Sequence, residues 1–167
     1  MTSSTKTFKT KSMAGFTIVE LLATLLVLFG VIQIFVSITA DINSSALIKD
    51  NLIAANLVQE GIEVTRNIRD KDWFVSGVFG TSLSDGIWLV QWNSGALAAV
   101  GANPPLKKDN SGIFSYDFGT DTIFRRTITI STVSAQEKKI TSTVTWDFRG
   151  STKAITAEDH LFNWFKP

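Results

Sequence analysis

Glu20 is the one ionisable residue in the run FTIVELLATLLVLFGVIQIFVSITA, Phe16 to Ala40. A carboxylate inside a membrane span costs on the order of 2.5–3.5 kcal/mol on insertion scales. An acid in such a place is by default a functional group, and the bland alternative is that it marks the membrane interface. It lies about one turn into the run, so its carboxylate can snorkel before it finds a partner. A small-residue site, Met13-Ala14-Gly15, stands just ahead. Gly15 has no side chain, which leaves its backbone open to close approach.

The other chemistry-bearing residues are sparse. There is no cysteine and a single histidine, His160. That excludes a disulfide framework, a thiolate zinc site and a cysteine nucleophile, and it leaves His160 without partners for a triad or a metal. His160 reads as a surface or edge residue. Asp117 and Asp121 flank Gly119, but their spacing does not match a calcium loop, and they read as a turn. Arg125-Arg126 reads as a solvated strand edge. The formal net charge of +1 gives no bulk attraction to nucleic acid, and none is expected as a partner. No phosphate-binding loop or nucleophile motif occurs. We expect no catalytic residue, no metal and no cofactor.

The element that must position Glu20 is a helix. A membrane span needs roughly 20 apolar residues, and Phe16–Ala40 is long enough. Lys6, Lys9 and Lys11 precede it with no acid among them, so the N-terminus should stay cytoplasmic and the remainder should be exported. A secretory signal peptide fits poorly, because its cleavage site would follow the apolar region. A plain signal anchor fits everything except Glu20. A buried core helix is disfavoured by the length and the basic flank.

Gly15-Phe16-Thr17-Ile18-Val19-Glu20-Leu21-Leu22 resembles the prepilin processing motif of type IV pilins and type II secretion pseudopilins. The resemblance implies that a membrane peptidase cuts after Gly15 and N-methylates Phe16. It makes Glu20 the fifth mature residue, an assembly group that meets the N-terminal ammonium of a neighbouring subunit in the apolar centre of a filament. Such a pair offsets its desolvation only where it forms, so it selects one axial register. The implied partners are the prepilin peptidase/N-methyltransferase, other pilin subunits, an inner-membrane assembly platform and the lipid bilayer. The implied location is the cytoplasmic membrane before assembly, and a periplasmic or extracellular filament after it. Loss of residues 1–15 removes three of sixteen basic residues and none of fifteen acids, moving the formal charge from +1 to −2. A signal-anchored binding or enzymatic domain unrelated to pili is the alternative.

Many pilins carry a proline where this chain has Ser37. Gly30 is then a candidate softening point, since glycine costs about 1 kcal/mol against alanine in a helix interior. Close helix packing through a small residue is an equal alternative. Past Ala40 the chain turns amphipathic, with Ile42, Ile48, Leu52, Ala55, Val58, Ile62, Thr65 and Ile68 on one face. One helix from Phe16 to about Asp70 would run roughly 80 Å.

Four segments follow: a leader 1–15, an assembly half 16–40, an amphipathic half 41–72 and a β-rich head 73–167. Trp73 and Phe74 read as core or hinge anchors. Strands are expected at Ile87–Trp92, Ile113–Phe118, Phe124–Val133, Lys139–Phe148 and Lys153–Ala157. In the clearest, Ile140, Ser142, Val144, Trp146 and Phe148 alternate with threonines and Asp147. Lys107-Lys108-Asp109-Asn110 reads as exposed loop. An antiparallel sheet needs a covered face, and the amphipathic half-helix is the natural cover. The expected class is α+β, a pilin fold. The ending VTWDFRGSTKAITAEDHLFNW resembles the closing strands of minor pilins and minor pseudopilins, and a minor pilin or pseudopilin is favoured over a major pilin.

Overall fold

The computed structural model describes Gly15 and residues 17–164. It is α+β: one long helix, α1 (Ile18–Ser76), followed by antiparallel sheets of five and three strands. The chain divides into two compact units between Ser45 and Ala46.

In the first unit the described side chains of α1 are not buried. Every described side chain from Ile18 to Thr39 is exposed, and this stretch is long and apolar enough to cross a membrane.

In the second unit the rest of α1 covers a five-stranded sheet. Its order is β2 (Ala98–Ala99), β1 (Gly86–Leu89), β6 (Arg125–Ser134), β7 (Glu137–Phe148), β8 (Ser151–Phe162). All neighbours are antiparallel. Thr–Thr and Thr–Ile alternation gives β6 and β7 one wet and one dry face, as half-buried strands require. Ile140, Ser142, Val144 and Trp146 are buried, while Thr141, Thr143 and Thr145 are only half-buried. The β7–β8 hairpin closes on Arg149 and Gly150, both at positive φ (54° and 75°), between the paired Phe148 and Ser151. Two left-handed residues are what a tight hairpin turn needs.

Several expectations need correction. The helix runs to Ser76, past Asp70, because its stop signal is Gly77: at φ 66° it ends the helix and returns its N–H to the Trp73 carbonyl at 3.1 Å. Trp73 is buried, but Phe74 is 89% exposed and anchors nothing in the core. The buried stripe also shifts. Ile48 and Leu52 are exposed, and Ala54, Leu57 and Val64 are buried beside Val58, Ile62, Thr65 and Ile68. Contact with the sheet starts only near Ala54, so apolar residues before it have nothing to pack on. Lys107–Lys108 is not loop but strand β3, between β4 (Phe114–Ser115) and β5 (Thr120–Asp121). Gly119 lets this small sheet close. At φ 107° a Cβ there would stand 2.6 Å from the Lys108 carbonyl. The last strand extends to Phe162, beyond Ala157, carrying its alternation through Glu158, Asp159 and His160.

The core forms two clusters. One holds Ala54, Leu57, Val58, Leu106, Phe124, Val144 and Trp146. The other is built on Ile62, Ile68, Leu83, Val90, Ile128, Ile130, Ile140 and Leu161. Along α1, β6 and β7 alike, the residue between the clusters is polar or missing a side chain: Gly61, Arg126 and Ser142.

Candidate functional site

The start of α1 is capped by its own sequence. Thr17 Oγ1 accepts the Glu20 N–H at 3.3 Å, and the Thr17 carbonyl accepts N–H bonds from Glu20 and Leu21, each at 3.1 Å. Thr-Ile-Val-Glu is therefore a capping-box sequence, with Glu20 in the first turn where the helix dipole favours an acid. This signal was legible in the spacing of Thr17 and Glu20, and it assigns Glu20 a local role in addition to the expected one.

Glu20 is exposed and its carboxylate has no partner among the described residues. Ala23, Thr24, Val27, Leu28 and Val31 line an open, almost wholly apolar groove with it. Polar side chains in this stretch fold back on the helix: Thr24 Oγ1 donates to the Leu21 carbonyl and Thr39 Oγ1 to the Phe35 carbonyl, both at 2.9 Å. That satisfies these two hydroxyls within the helix itself. Glu20 is thus the one ionisable group of this stretch, a carboxylate near its beginning without a partner among the described residues, while Gln33 and Ser37 are further polar side chains exposed along it.

Gly15 is exposed with open space where a Cβ would sit. Phe16 lies outside the described residues. Gly30 also has open space on all sides and the helix passes through it unbroken. Nothing among the described residues requires glycine there.

In the second unit Arg126 corrects the solvated-edge reading. Its side chain is fully buried, because β6 alternation places it inward with Phe124 and Ile128. It donates to the Leu57 carbonyl at 2.8 Å, the Val90 carbonyl at 2.6 Å and the Glu60 carboxylate at 3.0 Å. One guanidinium thus ties the helix, the sheet and the chain after β1. Gly61 makes room for it: a Cβ would stand 2.6 Å from Ser142 Oγ and 2.8 Å from Ile128 Cδ1. Nothing in the sequence distinguishes Arg126 from Arg125 except strand parity, which Phe124, Ile128 and Ile130 already define. The node fastens the helix to the sheet and to the chain after β1.

Asp117 accepts from Gln91 Nε2 at 2.6 Å and Asp121 lies in β5, so the two aspartates serve loop and strand. No cluster of metal-ligating side chains occurs among the described residues. His160 lies on β8, half exposed, between Glu137 (2.5 Å) and Glu158 (3.3 Å). Its hydrogen bond to Glu137, then that to Glu158, raises its pKa above the ordinary value.

No family model matches the chain, and neither a curated protein nor a solved structure matches it. The functional reading therefore rests on the residues themselves. They form a capped acid at the head of a bare apolar helix, joined in sequence to a tightly fastened α+β head.

Proposed function

We propose that the chain is a structural subunit of a type IV pilus or pseudopilus, a minor one, and not an enzyme. In this reading a prepilin peptidase cuts after Gly15 and methylates Phe16. The new ammonium pairs with Glu20 of a neighbouring subunit. Residues 16–40 hold the precursor in the cytoplasmic membrane and later pack against other subunits, and the head folds outside as a pilin fold.

The observation that carries this reading is Glu20, without a partner among the described residues, on a helix face where the only other polar side chain, Thr24, is satisfied by its own backbone. A bilayer anchor alone has no use for such a group, which costs several kcal/mol at depth. A filament axis does, because a second charge brought by a neighbour offsets the cost only in register. The long exposed apolar stretch supports the same reading, since each large side chain there gains about 1.5–3 kcal/mol when covered. The test is Gly15→Leu, expressed in cells that own the processing peptidase. It should persist at precursor size in the membrane. A mature-length product from that variant would remove the proposed cut site.

A further inference from the structure

A groove on the head, about 460 Å³, runs between α1 and the turn after β1. One wall is Glu63, Asn67 and Lys71, four residues apart on one helical face and spanning about 12 Å. The other is Trp92, Asn93 and Ser94 at the tip of the turn. From this geometry we infer that the head binds a short neutral oligosaccharide here, with Trp92 as its stacking platform. The inference does not depend on the filament reading.

Three observations carry it. First, Trp92 is 49% exposed on a rigid support. The Ser94 N–H donates to the Gln91 carbonyl at 2.9 Å, and the Gln91 N–H donates to Ser94 Oγ at 2.9 Å. The Gln91 amide is itself pinned, accepting from the Tyr116 N–H at 2.8 Å and donating to Asp117 at 2.6 Å. An indole held out to water on a braced turn gives contact area with little ordering left to do on binding. Second, Glu63 pairs with Arg66 at 2.6 Å and Ser94 Oγ is taken by Gln91, but the other polar side chains facing the groove are unused. Asn67, Lys71 and Asn93 make no side-chain hydrogen bond or ion pair among the described residues. Third, the chemistry is mixed along its length. Glu63 accepts, Lys71 donates, and the two amides between do both.

A sugar ring has an apolar C–H face for the indole and a rim of hydroxyls that donate and accept. A charged ligand fits worse: Lys71 repels a cation, and Glu63, although it also pairs with Arg66 at 2.6 Å, repels an anion. Gly95 keeps the Lys71 end open: a Cβ there would stand 3.3 Å from Lys71 Nζ.

The test is calorimetry and ligand-observed magnetic resonance on the full chain in a zwitterionic, sugar-free detergent. Cellotriose, maltotriose and chitotriose are the probes. At least one should bind saturably with a dissociation constant of about 1 mM or below. Trp92→Ala should abolish that binding, Trp92→Phe should keep part of it, and Asn67→Ala should weaken it about tenfold, with head melting unchanged in all three. Failure of all three sugars to bind, or equal binding by Trp92→Ala, would overturn the inference.

Discussion

The two stretches of α1 are continuous in sequence and opposite in use. From Ile18 to Thr39 every described side chain is bare, and the helix is made by its cap and its composition. From Ala54 to Trp73 one face is buried under a sheet, and the helix is held by Gly61, Arg126 and two apolar clusters. The difference teaches where charge is tolerated. In the head the buried cation has three acceptors within its own chain. In the apolar stretch the carboxylate has no partner among the described residues, and in the proposed reading a neighbouring subunit supplies one.

The largest expected effect separates the stretches by assembly. Glu20→Ala should leave head melting unchanged and lower incorporation into filaments by about a hundredfold, the cost of leaving a buried charge unpaired. Sheared filament fractions, quantified by immunoblot, measure it. Normal incorporation would remove the account of Glu20. Arg126→Ala should do the reverse, destabilising the head by about 3–5 kcal/mol because Val90, Leu57 and Glu60 lose their donor. Denaturant titration reads it, and an unchanged midpoint would show that the node holds nothing. Gly61→Ala should cost about 1–3 kcal/mol by overpacking, despite the better helix propensity of alanine. Gly30→Ala in the bare stretch should cost nothing, and the pair of melting curves makes the contrast directly.

The smallest effect is a pH dependence on β8. His160 faces Glu137 and Glu158, and Lys139 bridges Glu158 at 3.3 Å. The raised pKa means the folded state holds the proton more tightly than the unfolded chain. The stabilisation is complete below the ordinary value of 6.5 and is lost as pH rises through the higher folded value. Wild type should therefore exceed His160→Gln in melting temperature at pH 5–6 and lose that margin on the alkaline side. A margin that grows with pH would contradict the ring's placement.

Much of the fold was legible because simple periods were present. The alternation of Ile140, Ser142, Val144 and Trp146 placed the dry face of β7. What escaped reading had weak local signals. Two-residue strands such as β3 and β5 form from backbone pairing and carry no pattern. The phase of the α1 stripe depends on where the sheet begins, which only the packed chain defines. Arg126 was hidden by its type, since a lone arginine reads as surface until its carbonyl partners are in place. Of the candidate site, Glu20 stood out by contrast with its surroundings, whereas its cap required attention to Thr17.

The central claim concerns a chain end that processing creates. Intact-mass and peptide mass spectrometry of the native protein, recovered from its own cells, tests it most directly. The account predicts a chain that begins at N-methylated Phe16. A chain that retains residues 1–15 in cells with an active prepilin peptidase would contradict it, because Glu20 would then have no ammonium to meet.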